Sequence, residues 1–507
     1  MMFFAESVLL NVFSICVAIV VLVIFSFKKR YSHWKNLGVE YEEPTIPFGN
    51  TKDNFLWKIS IGDYYTNFYL KMKARKLKHA GSYFFHKVVY IPLDLDLIKQ
   101  IMQADFLHFT DHLSFVNEKD DPLGAHIFAL KGQRWRNLRV KLTPTFTSGK
   151  MKLMFPIIVK ISDELVKTLK EECGNGPIEA KDLSGRFTTD VIGNCAFGIE
   201  CNSLKDPYTK FRIMGKRLLS LTRTEQLINF LEILFPKMMI YFGTSFLPKE
   251  ATDFFWRVIK DTSEYREKSG VRRNDAMQLL LDMMSKNGKE DGNTLTFEEV
   301  AAQAFVFFIA GFETSSTLMS FALLELSLNQ DVQDRLREEV KEALERNKGE
   351  LTYEAIWEMN YLSNVINETL RKYPPLSILT RECTKDYTVP YSNVVIRKGE
   401  LVFISVKGIQ YDPDNYPDPQ KFDPLRFTEE NKSKRHPFSF IPFGEGPRIC
   451  LGMRFGLMQA KVGLISLIGN FKFKVSPITR IPVELDPKSF LTSSLDGLFL
   501  DVEQIKN

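Results

Sequence analysis

A glycine-rich loop with a single cysteine holds the residue types in this sequence that are best suited to chemistry. The segment PFGEGPRICLG (residues 442–452) precedes an apolar run that is typical of a helix. A dinucleotide-binding fingerprint requires G-x-G-x-x-G, and Ile449 stands where the third glycine should be. A zinc site needs several ligands at close spacing, but the nearest histidine, His436, precedes Cys450 by 14 residues. The loop is therefore predicted to present one sulfur, that of Cys450.

The residues around Cys450 favour a thiolate that binds a flat group. Cys450 lies where the loop meets the predicted helix, and the N–H groups of a helix N-terminus lower the pKa of a thiol. Arg448 can pair with an acidic group of a ligand, and Gly446 and Gly452 let the backbone approach a flat, bulky molecule. A haem iron held by a cysteine thiolate meets these conditions.

The loop resembles the haem-binding signature of the cytochrome P450 monooxygenases. The fixed positions of that signature are matched by five residues: Phe443, Gly446, Arg448, Cys450 and Gly452. The resemblance implies a mainly α-helical fold with small β-sheets. It also implies haem b as the cofactor, with Cys450 as the axial ligand of the iron and Phe443 and Arg448 among the haem contacts.

An acid and an alcohol stand side by side in the segment AGFETS (residues 310–315). Gly311 costs a helix about 1 kcal/mol relative to alanine, so the absence of a side chain there should bring a gain. Glu313 and Thr314 would suit a proton relay. Alternatively, Thr314 bonds the carbonyl of Ala310 and Glu313 is merely solvated. The segment resembles the oxygen-activating segment of the family, which implies that Thr314 organises protons beside the iron and Glu313 supplies them from solvent.

Glu368 and Arg371 lie three residues apart in NETLRKYPP, on one face of a predicted helix. By itself such a pair would be a surface ion pair worth less than about 1 kcal/mol. The family that the cysteine loop resembles buries these two residues with Arg426 as a folding triad behind that loop. Leu425 stands where the family often has glutamate, which leaves the triad intact.

Further positions match the contacts that the family makes to the haem propionates. Trp135 and Arg139 lie four residues apart on a helix pattern in GQRWRNLR, and Arg381 lies in LTREC. With Arg448 they would surround the acidic edge of the haem. A single arginine is more often simply solvated, so these assignments follow from the resemblance alone.

Helical spacing predicts part of a substrate pocket. If Thr314 and Ala310 face the iron, Val306 lies one turn further along the same side, with Ile309 beside it. Two more pocket residues are assigned by their position in the family: Phe115 and Leu376. The alternative for each of these residues is ordinary core.

One long helix must carry this segment. Thr296 and Glu299 have capping-box spacing, and the helical pattern continues to about Leu328. Some 32 residues would span about 48 Å, and the centre of the pattern is apolar on every face. The helix is therefore expected to run through the middle of the domain. Strands are predicted to be short: near residue 90, in a hairpin over 393–405, near 473 and near 499.

The N-terminal region is predicted to be a membrane anchor. Residues 8–27 are mostly apolar, and about 20 such residues span a bilayer as a helix. Lys28, Lys29 and Arg30 follow, which places the rest of the chain in the cytosol, whereas a cleaved signal peptide carries its basic residues before the apolar run. We expect an anchor over 1–30, a Pro/Gly-rich connector over 31–50 and one catalytic haem domain over 51–507, at the endoplasmic reticulum membrane.

The composition excludes several other classes of protein. A net charge of +5 without an arginine-rich arm does not indicate nucleic-acid binding. Six cysteines without a CxxC pair indicate neither a disulfide framework nor a zinc ribbon. The 42 phenylalanines predict a large aromatic interior, either core or the lining of an apolar cavity.

The resemblance implies a microsomal monooxygenase that inserts one atom of dioxygen into small apolar substrates. Residues 141–155 and 310–326 look most like insect members that handle xenobiotics, so insecticides, plant compounds or endogenous lipophiles are the expected substrates. No stretch matches a flavin or nicotinamide domain, so electrons from NADPH are expected through a separate flavoprotein reductase, with cytochrome b5 as a further partner. A basic face is predicted to dock the acidic partner: Arg136, Lys141, Lys434 and Arg435.

Two alternatives remain at this point. One keeps the fold and makes the protein a haem-thiolate isomerase or lyase that needs no reductase; the presence of Glu313 and Thr314 counts against it. The other is a non-catalytic haem sensor. Turnover that depends on NADPH and a reductase would separate a monooxygenase from both.

Overall fold

The computed structural model describes residues 2–284 and 294–505, with the side chains of residues 2–10 and 12 outside the description. Helices dominate the described residues: α1 (Met2–Tyr31), α2 (His33–Asn36), α3 (Lys52–Phe55), α4 (Ile61–Ala74), α5 (Leu95–Lys99), α6 (Gly132–Leu142), α7 (Ser148–Glu172), α8 (Ala180–Ile192), α9 (Lys210–Leu219), α10 (Arg223–Leu234), α11 (Pro236–Tyr241), α12 (Lys249–Ser269), α13 (Ala276–Asp282), α14 (Phe297–Leu328), α15 (Gln330–Arg346), α16 (Tyr353–Glu358), α17 (Asn360–Lys372), α18 (Val406–Tyr411), α19 (Glu429–Ser433) and α20 (Met453–Asn470).

The strands are short and form three small sheets. They are β1 (His79–Phe84), β2 (Lys87–Pro92), β3 (Ile178–Glu179), β4 (Ile378–Glu382), β5 (Tyr387–Thr388), β6 (Val395–Ile396), β7 (Leu401–Ser405), β8 (Phe471–Val475) and β9 (Phe499–Gln504). The largest sheet has the order β1-β2-β7-β4, with β2 and β7 parallel and the other neighbours antiparallel. The others are β3-β9-β8 and β5-β6. The mainly helical fold with small sheets that the sequence predicted is confirmed.

The predicted hairpin over residues 393–405 is wrong. A turn does occur at Gly399, which has a φ of 88°. The strands on either side of it, β6 and β7, join different sheets: β6 pairs with β5, whereas β7 pairs with β2 and β4. Turn residues between two apolar runs specify the turn, but they do not specify the partner of each strand.

The central helix α14 begins and ends where the sequence predicted. The Thr296 side chain accepts a hydrogen bond from the N–H of Glu299, and the Glu299 side chain bonds back to the cap, so the capping box is complete. Most of its side chains from Val300 onward are buried between α8, α20 and the segment around residues 122–124. Among the described residues this is the helix that is long and apolar enough to cross a membrane, but 72% of its apolar window is buried inside the protein. It is the core helix of the domain.

The chain after α1 packs against the largest sheet. Trp34 is fully buried, and its indole N–H donates to the carbonyl of Ser82 at 3.0 Å. The Tyr31 hydroxyl donates to the carbonyl of Phe85, and the Tyr83 hydroxyl donates to the carbonyl of Tyr31. Within α1 itself, the described apolar side chains from residue 13 to residue 25 are exposed. The predicted connector is therefore attached to β1, whereas α1 leaves the domain with its apolar surface uncovered.

Candidate active site

Cys450 lies just before α20 and borders a cavity of about 290 Å³. The backbone N–H of Cys450 donates to the carbonyl oxygen of Phe443 at 2.9 Å, which closes the loop. Gly446 has a φ of 72°, and a Cβ there would lie 1.9 Å from the carbonyl oxygen of Met102. The turn and this contact explain Gly446, which does not border the cavity as the sequence had suggested. Gly452 does border it.

The sulfur of Cys450 faces the cavity and is surrounded by protein on its other sides. This explains why the side chain is accessible although it lies deep in the domain. Burial raises the pKa of the Cys450 thiol; the N–H groups of Gly452 and Met453 and the charge of Arg139 lower it but do not outweigh burial. The predicted lowering by the helix terminus is present, and the predicted net direction is wrong. A metal ion at the sulfur would remove the proton outright.

Arg448 is fixed at one end of the cavity. Its Nε, Nη1 and Nη2 donate to three backbone carbonyls, those of Thr110 at 2.8 Å, Ile127 at 3.1 Å and Leu130 at 2.8 Å. Its guanidinium also lies 3.9 Å from the ring centre of Trp135, which α6 places on the cavity wall. Burial lowers the pKa of Arg448 to about 9. Arg448 therefore ties the cysteine loop to residues 110–130 and adds positive charge to the cavity.

Arg381 brings a second guanidinium to the same end. Strand β4 places its side chain on the cavity with 1% of its surface exposed. Its Nη1 donates to the carbonyl of Thr380, but its Nε has no partner among the described residues. Burial lowers the pKa of Arg381 to about 10. An unpaired buried guanidinium is costly, so this end of the cavity is suited to an anionic group.

His112 also borders this end, and the sequence analysis missed it. The side chain is buried, and its pKa lies well below the usual value because of burial and the nearby charges of Arg381, Arg448 and Lys131. No motif marked His112, because it lies in an irregular segment without helical or strand periodicity. Its position could be found only from the packing of that segment against β4.

The middle of α14 forms another part of the cavity wall. Val306, Ala310 and Thr314 line it at intervals of four residues, which is one helical face. The Thr314 hydroxyl donates to the carbonyl of Ala310 at 2.6 Å, the bond that the sequence analysis kept as an alternative. Glu313 does not line the cavity; its carboxylate lies 2.9 Å from the Nζ of Lys181 on α8.

A cysteine sulfur, buried guanidinium groups and an apolar face of a helix thus line one cavity. The cytochrome P450 family model matches residues 54–499 of this sequence. The chain belongs to the cytochrome P450 family.

Curated relatives of this P450 match it over nearly its whole length. Probable cytochrome P450 6a14 of Drosophila melanogaster is 45% identical over 493 residues, which cover 94% of this chain and 96% of the relative. Cytochrome P450 6a2 of the same organism is 42% identical over 499 residues, covering 96% of this chain and 98% of the relative. Cytochrome P450 6A1 of Musca domestica is 42% identical over 493 residues, covering 96% of both chains.

Family membership makes this chain a haem-thiolate monooxygenase that carries haem b on a cysteine. The residues present fit that cofactor. Cys450 borders the cavity, apolar residues form most of its wall, and the Nε of Arg381, which has no partner among the described residues, would be available to donate to a propionate. Neither the isomerase or lyase nor the sensor alternative gains support from the relatives.

The predicted triad of Glu368, Arg371 and Arg426 lies together in this P450. Glu368 and Arg371 are both fully buried and form two hydrogen bonds of 2.7 and 2.8 Å. The Nε of Arg426 lies 3.5 Å from Glu368, whose carboxylate also accepts the N–H of Asp423 at 2.9 Å. The Nη1 of Arg371 donates to the carbonyl of Gln410 at 3.0 Å. The three side chains thereby fix the backbone of residues 410–426.

Most of the catalytic, haem-contact and pocket residues assigned from sequence border the cavity, and three do not: Glu313, Ile309 and Phe115. Those on its wall are Cys450, Arg448, Phe443, Trp135, Arg139, Arg381, Thr314, Val306, Ala310 and Leu376. Ile309 does not border the cavity, because the lined face of α14 extends from Ala310 toward Gly311, and Ile309 lies about 100° from Ala310 in the other direction. Phe115 is buried elsewhere, in the irregular segment before α6. The sequence analysis missed Phe146 and Phe307, whose rings pack edge to face on the wall at 5.0 Å.

Proposed function

We propose that this P450 is a microsomal enzyme that oxidises small apolar compounds such as xenobiotics, insecticides, plant compounds or endogenous lipophiles. The overall reaction would convert a substrate RH, dioxygen, NADPH and one proton into ROH, water and NADP⁺. The observation that carries the proposal is that Cys450 and an apolar face of α14 line one cavity, with Thr314 as a polar side chain on that helical face.

The haem contacts would be divided between the two ends of the cavity. Cys450 would hold the iron, while Arg381, Arg448, Arg139 and Trp135 would bind the propionates. The guanidinium of Arg448 is already occupied by three carbonyls, so Arg381, with its free Nε, would be the stronger propionate donor. Bound haem would supply the activation of dioxygen, and the protein groups would position it and deliver protons.

Thr314 and Glu313 would manage those protons. Because the Thr314 hydroxyl donates to the carbonyl of Ala310, its oxygen is left as an acceptor that faces the cavity. It can hold a water or another donor there. Glu313 lies on the α8 side of the same helix, at a carboxylate exposure of 19%, and would exchange protons with solvent. Removal of one such group from a proton path typically costs 10²–10⁴ in rate.

Val306, Ala310, Leu376 and Phe307 would contact the substrate. All four border the cavity, and they carry no hydrogen-bonding side chain. Such a wall selects by shape and hydrophobicity, because one methylene changes binding by only about 1–3 kcal/mol. A range of apolar substrates is the expected consequence.

Residues 1–30 would anchor the protein in the endoplasmic reticulum membrane, with the catalytic domain over 51–507 in the cytosol. The exposed apolar side chains of α1 support this proposal, and Lys28, Lys29 and Arg30 in its last turn support the orientation. Residues 31–50 would set the position of the domain at the membrane, because they attach to β1.

Electrons would come from an NADPH-dependent flavoprotein reductase, with cytochrome b5 as a second donor. The four cations of the proposed docking face, Arg136, Lys141, Lys434 and Arg435, are not equally available to a partner. Lys434 is paired with Glu430 at 2.6 Å, and Arg435 lies over the rings of Tyr416 and Phe427. Lys141 donates to the carbonyl of Thr294. Arg136 is exposed and has no ion-pair partner among the described residues, so it is the most available cation of the face.

The proposal is tested with the full chain in membranes together with a reductase. We expect the reduced carbon monoxide complex to give the Soret band of thiolate ligation, and a panel of apolar compounds to yield oxidised products only with NADPH and reductase. Cys450→His should lose both signals. Cys173→Ser is the control, because Cys173 lies outside the cavity and, within the described part of the chain, its sulfur donates to the carbonyl of Val502 alone. Product formation without NADPH, or a thiolate spectrum in Cys450→His, would contradict the proposal.

A further inference from the structure

The proposed proton donor Glu313 is held by a lysine of the neighbouring helix. The Nζ of Lys181, in the first turn of α8, lies 2.9 Å from a carboxylate oxygen of Glu313 and 3.1 Å from its carbonyl oxygen. The same Nζ donates to the hydroxyls of Ser316 at 2.9 Å and Thr317 at 2.6 Å. All of these acceptors belong to the turn of α14 that follows Ala310 and Gly311. Lys181 therefore binds the turn that carries the acid–alcohol pair.

The position of Lys181 is itself fixed from its other side. The next residue, Asp182, accepts a hydrogen bond at 2.7 Å from the buried Arg212 of α9. Lys216, also on α9, lies 2.9 Å from the same carboxylate oxygen, but its side chain is 55% exposed, so this surface pair adds little to the hold on α8. The Nε of Arg186 lies 3.1 Å from the second carboxylate oxygen of Asp182. The first turn of α8 is thus clamped between α9 and α14. A lysine held in this way restricts the rotamers of its carboxylate partner.

The geometry points to Lys181 as a positioning residue for proton supply, an inference that rests on the proposed role of Glu313. Glu313 and Thr314 are neighbours in sequence, but Thr314 borders the cavity and Glu313 does not. The ion pair with Lys181 keeps the carboxylate on the α8 side, within reach of solvent and one residue from the hydroxyl. Without Lys181 the carboxylate could rotate freely into water and would no longer be held in one position on the residue next to Thr314.

The alternative is that Lys181 only stabilises the packing of α8 against α14. The two roles differ in what they change. A structural tie affects stability and haem content, whereas a positioning residue affects the fate of dioxygen. When proton supply fails, dioxygen takes two electrons and two protons and leaves as hydrogen peroxide, so NADPH is consumed without product.

The test compares Lys181→Met, Lys181→Arg and a matched control, Lys216→Met. Lys216 lies in the same charge cluster and also donates to a carboxylate, but it does not contact Glu313. With the full chain and reductase, we expect Lys181→Met to lower the ratio of product to NADPH by roughly tenfold, less than the loss of a general acid itself. Peroxide should rise correspondingly. Lys181→Arg should restore most of the ratio, and Lys216→Met should leave it unchanged.

Readouts other than turnover separate positioning from folding. Haem content, the thermal unfolding midpoint and the spectral Kd of a bound apolar substrate should change no more in Lys181→Met than in Lys216→Met. The ratio of product to NADPH in the double variant Lys181→Met/Glu313→Gln should be no lower than in Glu313→Gln alone, because both substitutions act on one group. Additive losses of this ratio in the double variant, or a wild-type ratio in Lys181→Met, would overturn the inference. A wild-type ratio of product to NADPH in Glu313→Gln would instead overturn the proposed role of Glu313, and the inference with it.

Discussion

Arg381 carries a positive charge into the protein interior, and none of the described residues places a carboxylate in an ion pair with it. A buried guanidinium without a counter-ion is among the costliest arrangements in a folded chain, and such charges are normally paired. Three carbonyls bind the neighbouring Arg448, but the Nε of Arg381 has no acceptor among the described residues. We infer that the charge of Arg381 is retained for a ligand anion. A haem propionate satisfies this requirement.

Replacement of Arg381 should therefore loosen the haem. We expect Arg381→Met to raise the rate of haem transfer to excess apomyoglobin by roughly tenfold or more, because a charge-assisted hydrogen bond is worth about 1.5–3 kcal/mol. Arg454→Met provides the control: Arg454 is exposed and donates to the hydroxyl of Ser148. Equal transfer rates in wild type, Arg381→Met and Arg454→Met would contradict a propionate contact.

At the scale of elements, the close packing of α8 against α14 explains a glycine that the sequence analysis could only flag. A Cβ at Gly311 would lie 2.6 Å from the Cδ1 and 3.1 Å from the Cγ1 of Ile192. The missing side chain lets the two helices approach beside the cavity. The helical cost of Gly311 is therefore offset by packing.

Addition of one methyl group should reveal this packing. Alanine at an exposed helical glycine gains up to about 1 kcal/mol, whereas overpacking costs about 1–3 kcal/mol. We expect Gly311→Ala to be less stable than Gly149→Ala by about 1–2 kcal/mol in urea unfolding; Gly149 lies in α7 with open space around it. The double variant Gly311→Ala/Ile192→Val should recover most of the loss, since valine lacks the Cδ1 atom. If the double variant does not recover stability, the contact with Ile192 is not the source of the loss.

Local patterns predicted the helices well and the irregular segments poorly. Thr296 and Leu328 bound α14 as expected, because a capping box and helical periodicity are encoded in neighbouring residues. The partners of β6 and β7, and the burial of Phe115 away from the cavity, depend on contacts between residues far apart in sequence. The same is true of the Cys450 pKa, which follows burial by the whole domain. The contact of Glu313 with Lys181 had no sequence signal at all, since 132 residues separate the two.

For the molecule as a whole, the haem domain must receive electrons from another protein. Arg136 projects from the exposed side of α6, while Trp135 beside it borders the cavity. A cation at this position would attract an acidic partner toward the cysteine side of the domain. Attraction between exposed charges acts mainly on the rate of encounter, and salt screens it beyond about 8 Å at physiological ionic strength.

Charge reversal at Arg136 should therefore weaken the encounter with the reductase without changing the chemistry. We expect Arg136→Glu to raise the apparent KM for reductase at low salt by roughly threefold to tenfold, and the difference from wild type should shrink as salt is added. The control is Lys167→Glu, an equal charge change at an exposed site near the far end of α7, about 28 Å along that helix from Ser148. Oxidation driven by added peroxide needs no reductase and should be the same in all three proteins. If Lys167→Glu raises the KM as much as Arg136→Glu does, net charge rather than a docking face governs the encounter.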